Sequence, residues 1–302
     1  LYRLFFLYNF AQKNESITGK NNIKVMKKKI MMLAVAAMAA LSVSAQGEFK
    51  SYEGKGFTMH VYHSNDVMAD CSFVIETKKG LVTMEEPLFK SGVKEFEAYV
   101  AKLGKLVTAR ITDYHEGGTG IQPLVQPAGM PQFMHEGVYD AMMKGFQKNF
   151  GDMMVERPTG KAKEVKFGST EKINGVSYLF TKGPKNDFPA ATILIGKDFC
   201  LMHWAPAKAH MNALQLANRD AVAQALEGAK AAKALGAKYY LGSHGGVVTP
   251  EDLDFRIAYL TKMEQLLADN KDAATFAQAL KNAYPNLPGA EAVDAVAANL
   301  YK

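Results

Sequence analysis

From residue 57 the chain alternates apolar and polar positions over 57–61, then runs apolar over 71–76 and 81–84 with Lys78-Lys79-Gly80 between the last two. Alternation has the period of a half-buried strand, and short apolar runs bounded by turn residues fit buried ones, so three strands are predicted. The period then changes. Val93, Phe96, Tyr99, Val100 and Leu103 recur at helical spacing behind Ser91 and ahead of Gly104, which predicts a helix capped by Ser91. A β-branched stretch over 106–111 predicts a further strand. Residues 121–131 hold Pro123, Pro127, Gly129 and Pro131 and are expected to form an irregular loop. A helix is expected over 135–150, with Val138, Met142, Phe146 and Phe150 on one face.

The second half repeats this style. Strands are predicted over 164–167, 176–181, 191–195 and 199–204, with a tight turn at Asn174-Gly175. A long helix is expected over 208–235 and a strand over 237–241. Pro250-Glu251-Asp252 opens another helix, with proline in the first turn and acids where the helix dipole favours them. The tail over 271–301 is alanine-rich and helical, broken at Pro285 and Pro288. Each half thus reads as strands followed by helices, without a residue-level repeat, and the fold class is α/β.

The first 45 residues follow a different rule. From Met26 three lysines precede an apolar run over 30–41, and Val43 and Ala45 stand three and one residues before Gln46. That is the pattern of a secretory signal peptide, and the run falls short of the roughly 20 residues that span a bilayer. Residues 1–25 are read as upstream of the start at Met26, 26–45 as the leader, and 46–302 as one domain with a helical tail. Gln46 stands where a lipid-anchored protein would need cysteine, so an exported product, periplasmic or extracellular, without a membrane anchor is expected. Removing the leader also changes the charge. The net charge of +6 lies wholly in residues 1–45, and residues 46–302 balance 29 basic against 29 acidic side chains. A nucleic-acid or anionic-membrane partner loses its support with that excess. Cys71 and Cys200 both lie in strand-like segments, and either a bridge or two buried thiols fits them.

Two short motifs carry the candidate chemistry. Asp113-Tyr114-His115-Glu116-Gly117-Gly118 and Gly242-Ser243-His244-Gly245-Gly246 each put an imidazole and paired glycines just after a predicted strand. In open α/β sheets ligands collect at such carboxyl ends. His203 stands near the end of another strand. His60 and His63 share a strand at odd spacing and face opposite sides, so surface or hydrogen-bonded roles suit them. His135 and His210 are placed at helix starts, and Ser243 has no third member to complete a hydrolase triad with His244.

The run over 72–77, the glycine turn, the helix and the strand ending in His115-Glu116-Gly117-Gly118 resemble the metallo-β-lactamase superfamily. So does the later order of helix, strand, Gly242-Ser243-His244-Gly245 and helix, and the likeness covers roughly residues 57–270. It implies a four-layer αββα sandwich with one or two metals, usually zinc, between the sheets at their loop ends. Members with two metals carry His-x-His-x-Asp-His before the paired glycines. Aligned on His115, this chain has Arg110 and Thr112 at the two earlier histidine positions and Tyr114 at the aspartate position. Arginine does not deprotonate and threonine is a poor zinc ligand, so the first metal position is expected to be lost. The family's next histidine falls in 182–187, which has none; its bridging aspartate falls near His203, and its last histidine matches His244. Glu85-Glu86 stands where the family has a ligand-orienting aspartate, with an exposed turn as the preferred expectation.

Two functional readings follow from this resemblance. In one, His115, His203 and His244 hold a single zinc ion with an open fourth position, and Glu116 or Asp113 orients a ligand or accepts a proton, giving a metal-dependent hydrolase. In the other, His203 packs beside Trp204, His115 and His244 bond only to backbone, and no metal binds. A non-catalytic binding protein that keeps the pocket would use Arg110, Tyr114 and the histidines to hold a small anionic ligand. Both readings take a small molecule, and they differ over whether a metal or an anion sits near Arg110.

Overall fold

A computed structural model describes residues 47–66, 68–120, 122–157, 161–183 and 190–302. The upstream segment, the leader and positions 184–187 lie outside the described residues. Seven strands form the first sheet in sequential order: β1 (Glu48–Gly54), β2 (Phe57–His63), β3 (Cys71–Thr77), β4 (Gly80–Met84), β5 (Val107–Ile111), β6 (Leu124–Pro127) and β7 (Ala162–Val165). The first four pair antiparallel, and β4 to β7 pair parallel. The second sheet takes the order β13 (Gly246–Val248), β12 (Tyr239–His244), β11 (Phe199–Trp204), β10 (Ala191–Ile195), β9 (Val176–Lys182) and β8 (Thr170–Ile173). Within it only β11 and β12 are parallel. That pairing carries His203 and His244 to one edge.

Alternation along the strands decides what faces what. Met59, Val61, Phe73, Ile75, Val82 and Ile111 of the first sheet meet Tyr178, Phe180, Ile193, Ile195, Phe199 and Leu201 of the second in one core. The opposite face of the first sheet, with Tyr62, Val74 and Leu81, packs on Phe96 of α1 (Lys90–Lys102). Cys200, Met202 and Tyr240 on the outer face of the second sheet pack against α4 (Asp220–Ala234) and α5 (Pro250–Asp269). Helix, sheet, sheet and helix therefore stack as four layers. The tail adds α6 (Ala273–Ala283) and α7 (Val293–Leu300), whose apolar faces close a further helical core. Two helices, α2 (Met130–His135) and α3 (Gly137–Phe150), pack with Leu88, Phe89 and Tyr114 beside the first histidine motif.

Several expectations are corrected. Residues 121–131 are not one loop: β6 lies there, bonded to β5 and β7, and α2 begins at Met130. Proline is tolerated because Pro123 contributes only its carbonyl, to Arg110 N–H, and Pro127 ends the strand beyond its pairing with β5. The helix expected over 208–235 starts only at Asp220. Asn212 accepts from the N–H groups of Leu214 and Gln215, and Asn218 from Ala221, so local asparagine bonds outcompete the helix ladder. His210 consequently begins no helix, and His135 ends α2 rather than starting a long helix. Ser91 lies inside α1, which is entered from Phe89. Both cysteines are buried and free, Cys71 in the inter-sheet core and Cys200 on the outer face of its sheet.

Candidate metal centre

The first histidine arrives on a loop that the backbone cannot hold alone. After β5 the N–H groups of Asp113, Tyr114 and His115 all point at the Glu85 carboxylate, at 2.5 to 3.2 Å. Three successive donors on one anion fix the turn that presents His115. Glu85 reaches this place through a positive φ of 52°, uncommon for a side chain this long, and a bond from its N–H to Ile111 O. Ser72 Oγ donates to the Glu85 carbonyl at 2.6 Å. The exposed turn expected at Glu85-Glu86 is thus a buried hub. Gly117 is required by contact: a Cβ there would lie 2.0 Å from the carbonyl oxygens of Glu86 and Pro87.

The second sheet brings the other two rings. Trp204 of β11 is the register partner of His244 at the end of β12, and the two rings stack at 4.3 Å. A Cβ on Gly242 would strike Ala205 N at 2.2 Å, so glycine lets the end of β12 pass this close. Ser243 turns inward and donates to Glu85 Oε2 at 3.1 Å, away from any hydrolase pairing with His244. One carboxylate therefore ties both histidine motifs together.

His115, His203 and His244 each offer a nitrogen, and the three atoms lie within 4.8 Å of one another. Their ring centroids are 4.9 to 5.8 Å apart. His203 is held by the Tyr114 ring, stacked 3.7 Å away at 14°. His115 Nδ1 is buried without a hydrogen-bond partner among the described residues. Burial holds the His115 pKa below that of a free imidazole, despite the nearby Asp70 and Glu85 carboxylates, and so favours the neutral form that binds metals.

Asp70, which sequence reasoning missed, closes the group. It lies just before β3, forms an isolated bridge with His244, and sets Oδ1 3.1 Å from His244 Nδ1 and Oδ2 3.9 Å from His115 Nδ1. The Oδ1 contact is close but not aligned as a hydrogen bond. Burial alone would push this carboxyl up; His115, His244 and His203 outweigh it and hold it below the usual range. The signal was weak, since Ala69-Asp70 looks like any polar turn between strands.

The remaining candidates are placed elsewhere. Arg110 gives Nε and Nη2 to Glu86 at 3.0 and 3.1 Å, and the rest of its guanidinium bonds to Gly117 and Gly120 carbonyls. Thr83 Oγ1 also donates to Glu86, and the pair is buried. Its donors are thus spent within the fold, which does not suit the anion-holding role expected of Arg110. Asp113 accepts from Ala191 N–H of the second sheet at 3.1 Å. Glu116 is engaged by Arg157 Nε at 2.7 Å, and Arg157 continues to Asp140 of α3 at 2.9 Å. His135 Nε2 stands 3.5 Å from Glu116, at the exposed rim. Glu116 and Asp113 therefore brace the loop, and the carboxylates found against the imidazoles are Asp70 and, 3.9 Å from His115 Nδ1, Glu85. His60 bonds Ser51, Tyr99 and Glu76 on the outer face, whereas His63 lies beside Cys71.

Three converging imidazoles, an unpartnered ring nitrogen and a buried carboxylate behind them form a donor set that fits zinc in a three-ligand site. The sequence matches no family model and no curated protein. Solved structures do match by shape. A β-lactamase domain protein from Burkholderia ambifaria superposes with a TM-score of 0.54 at 13% identity, covering 83% of this chain and 86% of its own. A metallo-β-lactamase family protein from Thermus thermophilus gives 0.52 at 14% identity, covering 84% and 91%. At such identities shape is what is shared, and the chain has the metallo-β-lactamase fold.

Proposed function

We propose that this protein is an exported hydrolase of an ester, amide or phosphoester, dependent on a single zinc ion held by His115, His203 and His244. The convergence of those three imidazoles, with His115 Nδ1 buried and unpartnered, carries the reading. The two superposable structures, a metallo-β-lactamase family protein and a β-lactamase domain protein, agree with it. Export rests on the leader pattern over 26–45. When bound, zinc supplies a Lewis acid and lowers the pKa of water toward 7. Each residue of the chain then has a separate task. Glu85 fixes the approach of His115 and, through Ser243, of His244. Tyr114 fixes the plane of His203. Asp70 sets a carboxylate behind His244 and takes the proton-accepting place that sequence reasoning gave to Glu116 and Asp113.

Metal content tests the centre, measured on protein made from the full chain and purified without chelator or metal-affinity tag. One zinc per chain is expected, lost in His115→Ala and His203→Ala, and bound about 10- to 100-fold more weakly in Asp70→Asn. Chromogenic ester, amide and phosphoester substrates then test the reaction, and sequencing of the exported product should begin at Gln46. A metal-free protein whose unfolding temperature does not respond to added zinc sinks the proposal.

A further inference from the structure

Behind the second sheet lies a feature that the metal centre does not use. Arg256 projects from α5 and is buried, yet it forms no ion pair among the described residues. Nη2 donates to Ala207 O at 2.7 Å, while Nε and Nη1 have no hydrogen-bond partner among the described residues. Its guanidinium carbon stands 5.8 Å from the Tyr259 ring centre. Burial drags the guanidinium pKa down to about 10, which shows how poorly the fold solvates this charge. A buried, unpaired cation costs several kcal/mol, a penalty that folds rarely carry without a counter-charge.

Arg256 lines a cavity of about 60 Å³, together with Met202, His203, Trp204, Gln215 and Ala225. One water needs about 10–15 Å³ on this measure, so there is room for a molecule of several heavy atoms. The walls are mostly apolar apart from Arg256, Gln215 and His203, as expected for a site that takes a charged group on a small carbon skeleton.

We propose that Arg256 is the anchor of a second small-molecule site, which takes a carboxylate about the size of acetate in the cavity behind His203. The site does not depend on a metal. The carboxylate would supply the missing counter-charge and accept from Nε or Nη1, while its carbon end meets Met202 and Ala225.

Thermal unfolding of the full chain, in sodium acetate against sodium chloride at matched ionic strength and pH, tests the assignment. Acetate at about ten times its Kd is expected to raise the unfolding temperature by about 3 °C, saturably. The rise should vanish in Arg256→Met. It should also vanish in Ala225→Leu, which fills the cavity from a partly exposed helix position and leaves the arginine in place, so the test survives if Arg256→Met does not fold. His115→Ala, which removes a ligand of the metal centre but lines no part of the cavity, should keep the rise. Equal effects of acetate and chloride overturn the proposal, as does a rise that survives Ala225→Leu. Loss of the rise in His115→Ala would assign acetate to the metal centre instead, and a larger rise with inorganic phosphate would overturn the choice of a carboxylate.

Discussion

Glu85 and Glu86 are neighbours, equally buried in kind, and serve opposite sides of the same mouth. On the Glu86 side both carboxylate oxygens accept from Arg110, Thr83 adds a third donor, and the guanidinium finishes on two backbone carbonyls. On the Glu85 side the loop is equally well tied, yet the atoms it presents stay unsatisfied: His115 Nδ1 and Asp70 Oδ1 are buried without hydrogen bonds among the described residues. Buried polar atoms are nearly always paired, so their absence of partners marks where a ligand belongs. Arg110 and Glu86 thus form a satisfied internal ion pair, whereas two of the unsatisfied buried atoms lie beside the three imidazoles.

Breaking the saturated side should cost most. Arg110→Met leaves the Glu86 carboxylate buried without a counter-charge, which typically costs about 3–5 kcal/mol. For a chain of this size that is roughly a 10 °C fall in unfolding temperature or more. Replacing both partners with methionine should recover most of the loss, because an apolar pair of similar volume needs no neutralisation. Zinc content should be unchanged in the double variant. A loss below about 1 kcal/mol in Arg110→Met, by urea unfolding, would mean the pair is solvated and the contrast between the two sides is wrong.

Glu85→Gln is the matching test of the other side and should be milder. Glutamine keeps one acceptor oxygen but turns an amide donor toward backbone N–H groups, so about 2–3 kcal/mol is expected from unsatisfied donors. Because the same carboxylate holds the approaches of His115 and His244, zinc should also bind about 10- to 100-fold more weakly. Stability lost with zinc affinity intact would show that Glu85 serves the fold alone.

Much of the scaffold was legible because it rests on period and punctuation. The apolar runs around β3, β4, β10 and β11 and the Pro250-Glu251-Asp252 start of α5 are local signals. Edge strands were not: β1 and β8 are largely polar and exposed, so burial leaves little pattern in them. β6 was hidden by flanking prolines whose harmlessness depends on where its neighbours end. Within the site the histidines were visible from their turns, whereas the partners were set by tertiary contact. No spacing rule links Glu85 to Ser243 across 158 positions, or turns Glu116 away to Arg157. Asp70 reaches His244 only because β3 and β12 approach at the mouth.

The smallest expected effect comes from Asp66, which sharpens what the open side costs. Its Oδ1 accepts from the N–H groups of Met68 and Ala69 at 2.9 and 3.3 Å. Burial first, and then the charge of Asp70, push its pKa up to about 6. In the unfolded chain it would titrate near 3.9. Between those values the folded state holds the extra proton, so this group's contribution to stability is fully present below about 4 and is lost as pH rises through about 6. Above that pH the fold carries a repelled carboxylate. Asp66→Asn keeps an acceptor for the two N–H groups and removes the repulsion, so it should stabilise the protein at pH 7.5 by about 1 kcal/mol, allowing for partial solvent screening. At pH 4 the gain should disappear. Paired urea titrations at the two pH values measure it, and a pH-independent effect would mean that neither burial nor the charge of Asp70 raises the Asp66 pKa. The saturated side offers no comparable gain, because each of its carboxylate oxygens already meets a donor whose loss would cost more than any repulsion relieved.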